Sequence, residues 1–172
     1  VAIGVGTQGI DNALTTAGGV TGALVSRNRI NGVNSQSATG FSAAGIAVAG
    51  SPGAANVIVN NMISGVISPA TSPDLVAGVF VAGVPGASTR VLYNSVSMSG
   101  DRGAVATQTP SFGIAVTGTD PTVELKDNAF ATTQIASGGG VNAKSYAIGM
   151  VTTTFVNLDA NYNDYFSSGA NA

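Results

Sequence analysis

The chain has 172 residues, enough for one domain, and only 8% of them are charged, against about 25% in an average domain. Six basic and eight acidic residues leave a net charge of −2, too weak and too scattered to hold a nucleic acid. Cys and His are both absent, which excludes a disulfide frame, a thiolate metal site and the commonest general base.

In chain order, Val1–Gly6 reads as a strand fragment, followed by a loose motif at Gly9-Ile10. Val25, Asn28 and Ile30 come next, with Arg27 and Arg29 facing solvent on either side of the Asn. The cleanest stretch follows: Gly45-Ile46-Ala47-Val48, then Asn56-Val57-Ile58-Val59-Asn60-Asn61-Met62-Ile63-Ser64-Gly65. A loop with Pro69 and Pro73 must lie outside any strand ladder, because proline cannot donate to one. Gly78-Val79-Phe80-Val81 leads to Val91, Asn94 and Val96, and then to the charged turn Asp101-Arg102. Gly113-Ile114-Ala115-Val116 leads to Leu125, Asn128 and Phe130, and then to Ser137-Gly138-Gly139-Gly140, expected as a mobile loop. Ala147-Ile148-Gly149-Met150 leads to Ala160, Asn163 and Tyr165.

These elements repeat. Asn28, Asn61, Asn94, Asn128 and Asn163 are spaced by 33, 33, 34 and 35 residues, and the upstream Gly-Ile motifs keep step with them. Each Ile-x-Val pair alternates, so both side chains can face one side of a strand. The Asn interrupts that alternation and suggests a sharp turn, since Asn tolerates the left-handed backbone conformation and stacked copies could bond amide to amide. No copy carries a helical stripe, and Gly, Val, Thr, Ser and Asn are poor helix formers, so helical solenoids of similar period are excluded.

With Gly-Ile-x-Val upstream of Asn-Val-Ile-Val-Asn-Asn-Met-Ile-Ser-Gly, the chain resembles right-handed parallel β-helix proteins of the pectate-lyase-like superfamily, from about Gly9 to Phe166. The expected fold is therefore all-β: one right-handed parallel β-helix (solenoid) over residues 1–172, with about five coils of 33–35 residues. The expected structural ladder is Asn28, Asn61, Asn94, Asn128 and Asn163. The expected core columns are Ile46, Val79, Ile114 and Ile148; Ile58, Val91 and Leu125; and Ile30, Ile63, Val96 and Phe130.

The resemblance implies where chemistry would sit, and those places are bare. Acid–base residues of polygalacturonase-like members would correspond to Ala47, Phe80, Ala115 and Gly149. The eight acids (Asp11, Asp74, Asp101, Asp120, Glu124, Asp127, Asp159 and Asp164) fall at unrelated phases of the repeat. Asp159-Ala160-Asn161-Tyr162-Asn163 opens like a calcium loop, but Asp164 stands where that loop needs glycine and Ala170 where it needs Glu. We therefore expect no catalytic, metal or cofactor-binding residues, and no enzyme.

Tyr93, Tyr146, Tyr162 and Phe80 could line a sugar platform, but from the sequence they occupy different columns. Thr152-Thr153-Thr154 stands alone, without the ranks that ice binding needs. The longest apolar run, Leu75 to Val84, is too short for a membrane helix, and aromatics at 6% are too few for barrel girdles, so no membrane insertion is expected. No capping helix is read at either end, and no signal peptide at Val1, which suggests a segment of a longer chain or a polymerising subunit. The expected function is structural: an extracellular or cell-surface adhesin-like spacer, or a self-assembling subunit of a filament or layer. Its partners would be copies of itself stacked end to end, flanking domains, or glycans. The alternative is a carbohydrate-binding or degenerate polysaccharide-lyase-like module.

Overall fold

In the computed structural model, residues 21–35, 43–105, 107–151 and 157–168 are described. The Val1–Gly6 fragment, the loose copy at Gly9-Ile10, Asp11, Thr152–Thr154 and Ala170 lie outside them.

All the regular structure among these residues is strand, wound as a parallel β-solenoid of about four turns. About five coils are expected from the sequence; the upstream strand of the loosest copy lies outside the described residues, and two of the three sheets stack five strands. One sheet stacks β3 (Ala43–Gly50), β6 (Val76–Gly83), β9 (Ser111–Gly118) and β12 (Ser145–Met150). A second stacks β1 (Leu24–Ser26), β4 (Ala55–Val59), β7 (Ser88–Leu92), β10 (Thr122–Lys126) and β13 (Leu158–Asn161). The third stacks β2 (Arg29–Asn31), β5 (Met62–Ser64), β8 (Ser95–Met98), β11 (Ala129–Thr132) and β14 (Asp164–Ser167). Every strand pairs in parallel with the equivalent strand of the neighbouring coil.

Alternation along each strand sends one set of side chains inward. Ile58, Val91 and Leu125 are fully buried in one column; Ile30, Ile63, Val96 and Phe130 follow in another, and Ile46, Val79 and Ile114 in a third. They belong to a single core that runs through the coils. Ile148, expected in the same column, is only partly buried, because its strand is the last of its sheet.

The upstream glycines have a steric cause. A Cβ on Gly45 would lie 2.7 Å from the carbonyl oxygen of Gly78, and one on Gly78 would lie 2.7 Å from that of Gly113. A Cβ on Gly113 would lie 2.6 Å from the Ala147 oxygen. Each glycine therefore lets the next coil come close, and the inward alternation slips by one residue there. Ala147 breaks the rule, in the strand that has no described successor.

The first and last described coils differ. Val25, Ile30 and Val33, inward-facing in the first described coil, are buried. In the last coil Met150 is 37% exposed and Tyr165 40% exposed, although their counterparts one coil earlier, Val116 and Phe130, are at 0% and 1%. The Ser137–Gly140 segment, expected to be mobile, is hydrogen-bonded to the preceding coil: Ser137 N–H donates to Asp101 Oδ1 (3.0 Å) and Gly138 N–H to Gly103 O (3.4 Å).

Candidate functional site

The turn between the second and third sheets is where the repeat is most regular. Asn61, Asn94 and Asn128 are buried there, and the ladder runs from Asn28 to Asn163. At each step one Asn donates twice to the next Asn's Oδ1, once from its backbone N–H and once from its side-chain amide. For Asn61 to Asn94 these bonds are 3.0 and 2.9 Å. For Asn94 to Asn128 they are 2.9 and 3.0 Å, and for Asn128 to Asn163 they are 3.0 and 2.8 Å. The Asn94 amide also caps the carbonyls of Ile58 (3.0 Å) and Leu92 (2.9 Å). Corner carbonyls thus receive donors from inside the coil, and Leu92 O accepts a backbone N–H from Asn60 as well.

The left-handed residue at this turn is not the ladder Asn. Positive φ belongs to the residue just before it: Arg27 (57°), Asn60 (59°), Tyr93 (55°), Asp127 (55°) and Tyr162 (56°). This corrects the sequence expectation, and the reason is directional. The left-handed residue swings the chain round the corner with its own side chain outward, which leaves the following side chain pointing inward to build the ladder. The same backbone bond marks the first four members of this outer column: Arg27 N–H donates to Val59 O (3.2 Å), Asn60 N–H to Leu92 O (3.0 Å), Tyr93 N–H to Lys126 O (3.1 Å) and Asp127 N–H to Asn161 O (3.4 Å), while Tyr162 N–H donates to Asn161 Oδ1 (3.0 Å).

That column also corrects the reading of the aromatics. Tyr93 and Tyr162 share it, two coils apart with Asp127 between them, and the two residues are 60% and 76% exposed. Phe80 and Tyr146 lie elsewhere, in a small outer cluster with Ala77, Phe112 and Ala115, where Tyr146 stacks on Phe112 at 5.9 Å between centroids. Sequence inspection missed the shared column because the two tyrosines were not counted from the ladder Asn. Each immediately precedes one, which is the signal that could have found them.

Just beyond the turn, the outer face of the third sheet forms a groove of about 310 Å³ lined by Arg29, Met62, Ser64, Ser95, Ser97 and Ala131, among others. Strand register puts Arg29, Met62, Ser95, Ala129 and Asp164 in a single row across it. On the second sheet Arg90 and Lys126 hold Glu124 at 2.5 and 2.8 Å, and Lys126 also reaches Asp159 at 2.9 Å. Hydrogen bonds from Lys126 and then Arg90 hold the Glu124 carboxyl below its ordinary value of 4.5, and those carboxylates hold the Lys126 ammonium above its own.

Arg102, expected on a charged surface turn, is 3% exposed, with Nε donating to Ser68 O at 3.0 Å; burial pushes it down to about 10. No sequence signal marks that burial. Asp159–Asn163, the calcium-loop look-alike, is the end of β13 and the turn, and Asn163 Oδ1 is taken up by the ladder. Among the described residues no group of three or more His, Cys, Asp or Glu is placed to hold a metal ion, and no helix is long and apolar enough to cross a membrane. Compared with family models, curated proteins and solved structures, the chain matches none of them.

Proposed function

We propose that this chain is a non-catalytic structural solenoid, a spacer block displayed outside the cell. One observation carries the reading: the residues that recur coil after coil, the Asn ladder, the Ile/Val columns and the glycines, all serve coil-to-coil register. The extracellular location is supported by the resemblance of the repeat to secreted pectate-lyase-like β-helices, of the kind found on bacterial surfaces.

Between spacer and self-assembling subunit, Ala147 favours the spacer. Among the described residues no strand stacks beyond the last coil and the backbone N–H of Asn163 has no ladder partner, which leaves room for another coil. Yet a Cβ in this column meets the next coil's carbonyl at 2.6–2.7 Å in the three coils before it. An incoming coil in the same register would collide with the Ala147 methyl.

Sedimentation velocity over a concentration series, with electron microscopy of the same samples, tests this reading. The wild-type chain is expected to stay monomeric throughout, while Ala147→Gly gains end-to-end association. Wild-type filaments as abundant as those of the variant would sink the spacer reading and favour the self-assembling subunit.

A further inference from the structure

We infer that the outer turn column is a glycan-binding ridge, with Tyr93 and Tyr162 as stacking platforms and Asp127 as the hydrogen-bonding group between them. The inference stands apart from the structural reading above, since it concerns the outside of the turn and needs no assembly.

Conformation is the first argument. A left-handed backbone suits Gly and Asn, and a bulky residue there is a strained choice. Asn60 shows that the turn closes with a residue suited to it, so Tyr93 and Tyr162 are not demanded by the fold. Strain held at an exposed position motivates a search for what the side chain does.

Placement is the second. Neither ring stacks on another aromatic within the described structure, where the stacked pairs are Phe112–Tyr146 and Phe130–Tyr165. The rings stand two coil rises apart, roughly 10 Å. Tyrosine supplies a rigid apolar face with a polar rim, which suits the C–H face of a sugar ring and its hydroxyl edge.

The remaining chemistry defines the ligand class. Along the ridge run a guanidinium, a carboxamide, a phenol, a carboxylate and a phenol (Arg27, Asn60, Tyr93, Asp127, Tyr162), all planar groups able to bridge neighbouring hydroxyls. The groove beside it adds the serines at 64, 95 and 97. Asp127 between the rings repels carboxylate or sulfate, while the cations Arg27 and Arg29 sit towards one end. A neutral, hydroxyl-rich polysaccharide lying along the solenoid axis fits this pattern, with the chain long enough to touch both rings.

Retention of the purified chain on insoluble cellulose, chitin and β-1,3-glucan, with soluble polygalacturonate as the anionic comparison, tests the inference. Wild type is expected to bind at least one neutral polymer in preference to polygalacturonate. Tyr93→Asn and Tyr162→Asn should each weaken that binding about tenfold, and the double variant should abolish it. Melting temperatures of these variants should hold or rise, because Asn tolerates the left-handed turn. Failure to bind any of the three neutral polymers, preference for polygalacturonate, or variants that bind like wild type would each overturn the ridge. So would a fall in melting temperature of more than about 5 °C in the variants, which would make the rings structural.

Discussion

Two columns of side chains lie one residue apart at the same turn and follow opposite rules. The inner one is Asn five times over, from Asn28 to Asn163. The outer one changes at every step, through Arg, Asn, Tyr, Asp and Tyr, although its backbone angle stays between 55° and 59°. Inside, each amide must fit the amides above and below it, so chemistry is dictated. Outside, the backbone is constrained but the side chain meets only solvent, so chemistry is free to serve something else. The turn therefore separates what holds the fold from what the fold can present.

The largest test of that division is to break the inner column. Asn94→Leu removes the acceptor for two bonds from Asn61, takes the side-chain donor from the Ile58 carbonyl and leaves Leu92 O only its bond from Asn60 N–H. Unsatisfied buried groups cost about 1–3 kcal/mol each, so a loss near 4 kcal/mol and a melting temperature about 10 °C lower are expected by circular dichroism. Asn163→Leu, at the open coil, should cost well under half as much, and equal losses would mean the ladder is not what binds the coils.

Next in size is Gly78→Ala, whose Cβ would come within 2.2 Å of Val96 Cγ1 and 2.7 Å of the Gly113 oxygen. Overpacking of this kind costs about 1–3 kcal/mol, or roughly 5 °C in a melt. Ala147→Gly, by contrast, should leave the melt of the monomer nearly unchanged.

The smallest effect is expected on the charged surface of the second sheet. Glu124 is held below its ordinary acid range in the folded chain, so its ion pairs stabilise at neutral pH and are lost as pH falls through that lowered value. Being solvent-facing, the cluster is screened, and Glu124→Gln should shift the melting temperature by only about 1 °C, less at high salt. A large shift at high salt would mean that the pairs, not the core, hold β7 to β10.

How much of this was legible from the sequence follows the same inner–outer divide. The ladder and the Ile/Val columns were readable because an inward position repeated coil after coil leaves a periodic trace. Ala47, Phe80, Ala115 and Gly149, the positions that the resemblance matched to one another, stand side by side in one sheet because they keep the same phase. The left-handed residue was misplaced by one because both Asn60 and Asn61 suit that conformation, and only the backbone path shows which takes it. Burial of Arg102 was invisible, since it depends on where a non-repeating loop folds back. Equally hidden was the hydroxyl cluster of Ser111, Thr132 and Ser145, assembled from three strands of two sheets.

The ladder has a direction, and that has an electrical consequence. Every step from Asn28 to Asn163 is donated the same way, so the amide dipoles add along the solenoid axis instead of cancelling. Protons point towards the Asn163 end and oxygens towards the Asn28 end. Formal charges are set against that polarity: Asp164 follows the last amide, and Arg27 and Arg29 flank the first. A helix neutralises its own macrodipole in the same manner, with acids at its positive terminus and bases at its negative one. The solenoid thus behaves as a short polar wire with counter-charges fixed at both poles, and reversing Arg29 and Asp164 together would align charge with dipole and raise the energy of the folded chain.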